Sequence, residues 1–207
     1  MAERANPDIA GFKKQFKIKF DKGVIPSVQL YPSPYSEAFY WRYNWANKIC
    51  KDKKVLEIPC GMGWGTSLLS LPKFVKGIDI SEEAVNEAIK RYSKKNRHFE
   101  VGNMKKLSEA DNTYDIVLCL EGIEHVDKSI GELFIKEAHR ILKNDGRLLL
   151  SSPQHHTREH SGNPYHIHEY SYLELIQMIF PYFDIVSTTR RIIDDLYVYF
   201  IEAVVRK

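Results

Sequence analysis

The stretch Val55-Leu56-Glu57-Ile58-Pro59-Cys60-Gly61-Met62-Gly63-Trp64-Gly65-Thr66 constrains the fold more than any other part of this 207-residue chain. Apolar β-formers run into an acidic residue, then into glycines spaced two apart, and the chain turns into a helix. A buried strand that ends in a glycine-rich turn delivers backbone amides to a ligand. Gly61, Gly63 and Gly65 allow positive φ and carry no Cβ that would hold a ligand off the main chain. Such turns also serve plain strand-to-helix connections, so the loop takes its meaning from the segments C-terminal to it.

About 20 residues on, Phe74-Val75-Lys76-Gly77-Ile78-Asp79-Ile80-Ser81 reads as a second short strand ending in an acid. At the carboxyl end of a neighbouring parallel strand, a carboxylate can accept both hydroxyls of a ribose. The competing role for Asp79 is a helix N-cap. Ser81 suits that position before Glu82 and Glu83, which leaves Asp79 for the ligand.

Strand and helix patterns then alternate to the C-terminus. Strands are expected near 54–58, 74–79, 97–101, 115–120, 147–152, 183–190 and 196–204, and helices near 65–70, 81–94, 127–142 and 171–180. For helix 127–142, Asp127 is the expected cap and Ile130, Leu133, Phe134, Ala138, Ile141 and Leu142 the apolar stripe. Asn144-Asp145-Gly146 is expected to end it. Alternation of this kind predicts an α/β fold, a mostly parallel seven-stranded sheet with helices on both faces. The last two strands have no helix between them and are expected to finish the sheet as an antiparallel hairpin.

Residues 1–34 read as an N-terminal extension and 35–207 as the main domain. Phe12-Lys13-Lys14-Gln15-Phe16-Lys17-Ile18-Lys19-Phe20 alternates aromatic and basic residues, which suits an edge strand with lysines in water or a lid bringing charge to an anionic substrate. After Tyr31-Pro32-Ser33-Pro34, a helix from Tyr35 to Ile49 is dense in aromatics: Phe39, Tyr43 and Ala46 share one face, Trp41 and Trp45 a neighbouring one.

Hydrophobic residues make up 43% of the chain, enough for a core, and the net charge of +3 gives no mandate for nucleic acid or a membrane surface. No apolar run approaches the ~18 residues that span a bilayer, and no charged leader precedes an apolar stretch. Cys50, Cys60 and Cys119 are scattered, as expected of reduced, packed thiols in a soluble cytoplasmic protein.

From about Lys53 to the end, the chain resembles the class I S-adenosylmethionine (SAM)-dependent methyltransferases. Five blocks carry the resemblance in order: Glu57–Gly65, Gly77–Ser81, Phe99–Met104, Tyr114–Val126 and Leu142–Pro153. It implies a Rossmann-like methyltransferase fold with SAM as cofactor. Glu57, Pro59, Gly61 and Gly63 would wrap the methionine and ribose portion, Asp79 would hold the ribose, Ile80 and Met104 would sandwich the adenine, and Glu121 would lie near the methionine end. Two positions depart from the family. Pro59 replaces the usual first glycine or alanine, which stiffens the turn and removes an amide donor. Asn103 stands where an Asp usually faces the adenine amino group, and its carbonyl oxygen can still accept that bond.

The ionisable residues cluster after the fourth and fifth strands. Glu121, Glu124 and His125 are spaced i, i+3 and i+4, so a helical turn projects all three to one side. Two carboxylates and an imidazole allow Mg²⁺, Mn²⁺ or Zn²⁺. A second group comprises His155, His156, Arg158, Glu159 and His160, then Asn163-Pro164-Tyr165-His166-Ile167-His168-Glu169-Tyr170. Five of the eight histidines lie between 155 and 168. Two methyltransferase subfamilies, acting on small-RNA 3′ ends and in ubiquinone biosynthesis, share Glu-x-x-Glu-His with a later His. Their likeness implies a cation on Glu121, Glu124, His125 and His166 or His168, which would acidify a substrate hydroxyl. Other members share the pattern without a metal.

The Asn163–Tyr170 element resembles small stand-alone members associated with sugars, surface glycans and secondary metabolites. It implies an O-methyltransferase acting on a small-molecule or glycan acceptor, with His125, His166 or His168 as the base. The alternatives are an RNA 2′-O-methyltransferase and a non-catalytic SAM-binding partner protein. Lys94, Lys95, Arg97, Lys105 and Lys106 are the residues that would touch phosphate, but no aromatic-interleaved basic stripe accompanies them, so a nucleic-acid partner is not expected. A dinucleotide oxidoreductase needs Gly-x-Gly-x-x-Gly, and the spacing of Gly61, Gly63 and Gly65 is one residue too short.

Overall fold

The computed structural model describes residues 34–155, 160–193 and 196–206. The expected extension, including Phe12–Phe20, lies outside the described residues apart from Pro34. Helix α1 spans Pro34–Ile49. After it come β1 (Lys54–Glu57), α2 (Trp64–Leu68), β2 (Phe74–Asp79), α3 (Glu82–Tyr92), β3 (Arg97–Val101) and β4 (Tyr114–Leu120). A 3-10 turn at Ile123–His125 leads to α4 (Lys128–Ile141), β5 (Leu142–His155), α5 (Tyr172–Ile179), β6 (Phe183–Ile193) and β7 (Leu196–Val205).

The strands form one sheet in the order β3-β2-β1-β4-β5-β7-β6. The first five pair in parallel, while β7 lies antiparallel to both β5 and β6. This is the expected mostly parallel, seven-stranded sheet with an antiparallel finish. Its central strand β4 is buried nearly throughout, as a strand between two helical layers must be. On one face, Leu56, Ile78, Val117, Leu148 and Leu150 pack against Phe134, Ile135 and Ala138 of α4 and Leu175 and Ile179 of α5. On the other, Val55, Val75, Ile116, Leu118 and Leu149 pack under Tyr43, Ala46 and Cys50 of α1. Trp41 and Trp45 both meet the ring of Phe200 on β7. The three cysteines are free and buried, and burial raises each thiol pKa.

Three details of α4 differ from expectation. Asp127 is its N-cap residue but gives no side-chain cap; its carbonyl accepts the amides of Ile130 and Gly131 instead. The buried stripe runs through Gly131, Phe134, Ile135, Ala138 and Ile141, while Leu133 is 45% exposed. The stripe turns toward Gly131 because Tyr170 packs there: a Cβ on Gly131 would lie 2.4 Å from its Oη. Asn144-Asp145-Gly146 does not end the helix. β5 starts at once at Leu142, and the ladder to β4 jumps from Tyr114↔Leu142 to Ile116↔Arg147, so these residues form a bulge inside the strand.

β5, β6 and β7 also outrun their neighbours. Pairing with β4 ends at Leu120↔Ser151, yet β5 continues beside β7 to His155↔Leu196, and β6 to Ile193↔Leu196. A three-stranded flap therefore extends past the carboxyl edge of the sheet.

Candidate functional site

The strand order reverses between β1 and β4, and open α/β sheets bind ligands in the crevice at the carboxyl ends of such strands. The glycine-rich loop leaves β1 there. It is pinned from both sides: Ile58 N donates to Leu118 O of β4 at 2.9 Å, and Cys60 N to Ile78 O of β2 at 2.8 Å. The Ile58–Pro59 peptide is cis. The Pro59 ring packs against the end of β4, where a Cβ on Gly122 would stand 2.1 Å from its Cδ.

The glycines of this loop do different work. Gly61 and Gly63 take φ of 53° and 76°, as a left-handed turn requires. Around Gly61 a Cβ would meet nothing within 4 Å, so this backbone faces open space. A Cβ on Gly63 would fall 2.7 Å from Ala88 Cβ, and one on Gly65 2.1 Å from the Tyr43 ring. Gly61 shows the open backbone expected of a ligand approach, and the missing Cβ atoms of Gly63 and Gly65 admit α3 and α1 to close packing.

Glu57 ends β1 fully buried, with Oε1 accepting the Tyr43 hydroxyl at 2.6 Å. Burial pushes its carboxyl up to about 7, against the opposing pull of the Thr66 and Tyr43 hydroxyls and the Arg97 guanidinium. Thr66 lies close enough to act on the charge, but among the described residues no group meets Oε2 at hydrogen-bond geometry. That oxygen is an acceptor a bound donor would satisfy. Tyr43 is raised well above its ordinary pKa by burial and then by Glu57, so it remains a donor.

Asp79 lies where expected, at the end of β2 against the loop. Its oxygens are not wholly uncommitted: Oδ2 accepts Gly61 N at 2.8 Å and Oδ1 accepts Ser81 N at 2.9 Å. Each carboxylate oxygen offers a second lone pair, so the pair of ribose hydroxyls can still be accepted. Ser81 caps α3 through Ala84 N, as expected. Ile80, next to this acid in the chain, is 74% exposed, and Met104 is buried in the core cluster with Ile78. Asn103 is exposed, with Oδ1 accepting Lys105 N at 3.0 Å. Of the basic residues set aside for phosphate, Arg97 is buried and bonds Ser67 O and Leu69 O, so it is not available to a nucleic acid.

The carboxyl end of β4 divides the expected metal-binding set. Glu121 takes a left-handed φ of 51°, with its amide held by Ser151 O. Its carboxylate accepts Ser151 Oγ at 2.7 Å and lies 3.8 Å from Arg42 of α1. That backbone turn takes it out of the helical pattern, so it does not join Glu124 and His125. Glu124, His125 and His166 do come together, with one ligand atom of each within 4.8 Å of the others. Glu124 is buried and accepts Ser152 Oγ at 3.3 Å.

The 163–170 loop builds the other half. Ile167 N and His168 N both donate to Glu124 O, at 2.8 and 3.1 Å. His125 Nδ1 lies 2.9 Å from Tyr165 O; a carbonyl only accepts, so Nδ1 carries the proton and Nε2 keeps the lone pair. His166 Nδ1 lies 2.5 Å from Glu169 Oε1, which orients that ring in the same sense, and its Nε2 accepts Asn163 Nδ2 at 3.1 Å. Burial pushes Glu169 upward, but hydrogen bonds from Ser161 and His166 outweigh it and hold the carboxyl below its ordinary value. His168 stands apart, with Nε2 3.3 Å from Glu174 Oε1. His156, Arg158 and Glu159 lie outside the described residues, as does the side chain of His155; His160 contacts His166 O at 2.8 Å. Ser171 and Glu174 form a full capping box at the start of α5. No described helix is long and apolar enough to cross a membrane.

Tyr43, Arg42, Ser151, Ser152 and Glu169 are the site residues that sequence reasoning missed. The first four act through partners on distant elements, whereas Glu169 bonds His166 and Ser161 in its own loop, inside the Asn163–Tyr170 element, and was given no role there.

Residues 55–146 match the family model described as a methyltransferase domain. A probable SAM-dependent methyltransferase from Mycolicibacterium smegmatis is 32% identical over 137 residues, covering 63% of this chain and 51% of the relative. A fatty-acid O-methyltransferase from the same species is 29% identical, covering 59% and 42%. The chain thus spans about half the length of the curated relatives it matches. Among solved structures, the N-methyltransferase NodS from Bradyrhizobium japonicum, bound to S-adenosyl-L-homocysteine, superposes with a TM-score of 0.70 at 16% identity, covering 87% of this chain and 92% of that one. At that identity the likeness speaks for the fold alone. The sheet is the Rossmann-like methyltransferase fold.

Proposed function

We propose that this chain is a SAM-dependent methyltransferase that methylates a hydroxyl of a small-molecule or glycan acceptor in the cytoplasm. The observation that carries the cofactor assignment is the junction of β1 and β2. There, the open face of Gly61 adjoins the Asp79 carboxylate, and the buried Oε2 of Glu57 lies at the root of the same loop, waiting for a donor. These groups fit a cationic amino-acid tail joined to a nucleoside: a buried acceptor for the amino group, an acid for the ribose and a bare backbone between them. SAM supplies an electrophilic methyl group when bound.

The chain's own residues would align the acceptor and take its proton. Nε2 of His125 is the base, its ring oriented through Nδ1 by Tyr165 O; His166, held through Nδ1 by Glu169 and through Nε2 by the Asn163 amide at 3.1 Å, would serve only by releasing Asn163. His168, turned to Glu174, is set aside. The test is calorimetry with S-adenosylhomocysteine, followed by methyl transfer from labelled SAM. Binding in the micromolar range that Asp79→Ala abolishes supports the reading; no heat and no thermal shift with either cofactor form would end it.

The Glu124, His125 and His166 cluster favours a second, metal-assisted form of the same reaction. Both rings direct Nδ1 to a fixed acceptor, the arrangement that orients metal-binding imidazoles, and Glu124 adds an oxygen. The three would hold a divalent cation, His166 giving up its Nε2 contact to Asn163, and the cation would lower the pKa of the acceptor hydroxyl. Full turnover after exhaustive chelation would exclude this form and leave the histidine base alone.

A further inference from the structure

The flap formed by the ends of β5, β6 and β7 stands next to this histidine cluster. In an antiparallel ladder, directly opposed residues share a face. Ser152↔Tyr199↔Arg190 therefore makes one row across the flap, and Gln154↔Tyr197↔Ile192 the next. Both lie on the α4 and α5 side, because Tyr199 packs against the core cluster that contains Phe134 and Leu175. The first row starts at the site: the Ser152 hydroxyl is bonded to Glu124.

From Tyr199 the aromatic surface spreads. Its ring lies 5.2 Å from that of Tyr172, at the start of α5, and 6.5 Å from that of Tyr197. Arg190 is exposed, with its guanidinium 4.5 Å over the Tyr197 ring, and no carboxylate pairs with it among the described residues. Stacking on tyrosine holds the guanidinium plane in place while its N–H fork stays available, a geometry suited to a carboxylate or phosphate.

We propose that this surface is the acceptor site and that it takes an acidic sugar. The sugar ring would lie on Tyr172 and Tyr199, its carboxylate or phosphate would meet Arg190, and a ring hydroxyl would reach the Glu124, His125 and His166 end. Tyrosine suits such a ligand because it offers an apolar face and a hydroxyl on one rigid side chain. This inference rests on the methyltransferase reading, and it narrows the acceptor from any hydroxyl compound to a ring that carries a negative charge.

The experiment is calorimetry on the full chain saturated with S-adenosylhomocysteine, using glucuronate, glucose 6-phosphate, glucose and 4-hydroxybenzoate as probes. Glucuronate or glucose 6-phosphate is expected to bind at least tenfold more tightly than glucose, and comparison of the two tells carboxylate from phosphate. Arg190→Gln should weaken the charged sugar about tenfold or more, and Tyr172→Leu, at a half-exposed ring, should weaken every sugar probe. Cofactor affinity should change less than twofold in both variants. Unchanged binding of the charged sugar to Arg190→Gln would overturn the proposal, as would preference for 4-hydroxybenzoate or failure of every sugar to bind a chain that does bind S-adenosylhomocysteine. Failure to bind the cofactor itself would remove the methyltransferase reading and this one with it.

Discussion

Tyr43→Phe isolates one hydroxyl at the buried root of the glycine-rich loop. That hydroxyl donates to Glu57 Oε1 at 2.6 Å, and the ring above Gly65 remains in place after the substitution, so no cavity opens. Burial holds the Glu57 carboxyl at about 7 in the fold, against an ordinary 4.5. The folded chain thus binds this proton more tightly than the unfolded chain. Stability from Glu57 is full below about pH 4.5 and is lost as pH rises through about 7. At roughly 1.4 kcal/mol per pH unit, the gap between 4.5 and about 7 amounts to about 3 kcal/mol. A hydrogen bond to a neutral acceptor contributes about 1 kcal/mol, and one to a charged acceptor about 1.5–3 kcal/mol. Tyr43→Phe should therefore cost about 1 kcal/mol at pH 5.5, where folded Glu57 is protonated, and about 2–3 kcal/mol at pH 8.5. Urea denaturation of both chains at the two pH values measures this directly. In a Glu57→Gln background the cost should no longer depend on pH. An equal cost at both pH values, or a larger one at pH 5.5, would refute the coupling.

The glycine assignments separate with two variants. Gly63→Val must push against Ala88 and Phe99, and overpacking with a left-handed φ should lower stability by about 2–4 kcal/mol, read as a fall in Tm. Gly61→Val enters open space, so it should cost only the backbone strain of about 1–3 kcal/mol while abolishing S-adenosylhomocysteine binding by calorimetry. Asn47→Ala strips the acceptor that holds the amides of Ser70 and Leu71, both at 3.0 Å, and should cost about 1–3 kcal/mol in urea. Glu124→Gln should abolish any activation of methyl transfer by added Mn²⁺ or Mg²⁺, if the metal-assisted form operates; retained activation would place the cation elsewhere.

The elements were legible because their signals are local. Alternation of strand and helix, the hairpin at the end and the Ser81 cap each depend on residues within a few positions of one another. Errors fell where a distant residue decides. The α4 stripe turned on the ring of Tyr170, 39 positions from Gly131 and not visible in the helix's own periodicity. Asn144-Asp145-Gly146 carries the composition of a helix stop and was used as a bulge, because pairing with β4 had already begun at Leu142.

The site was only half readable for the same physical cause. Residue types within Glu-x-x-Glu-His show which ligands are present, but a single backbone angle decides which of them meet. At Glu121, φ of 51° and two contacts to Ser151 turn the carboxylate toward Arg42, whereas the 3-10 turn carries Glu124 and His125 to His166. Position i to i+3 implies a shared side only if the helix begins before i, and here it begins at Ile123. The glycines make the parallel point. Gly61, Gly63 and Gly65 are alike as letters, yet what stands opposite each is open space, Ala88 or Tyr43, and that neighbour assigns its work. A binding loop is therefore identified by the atoms missing around it, which result from the packing of α1 and α3 and only indirectly from the motif.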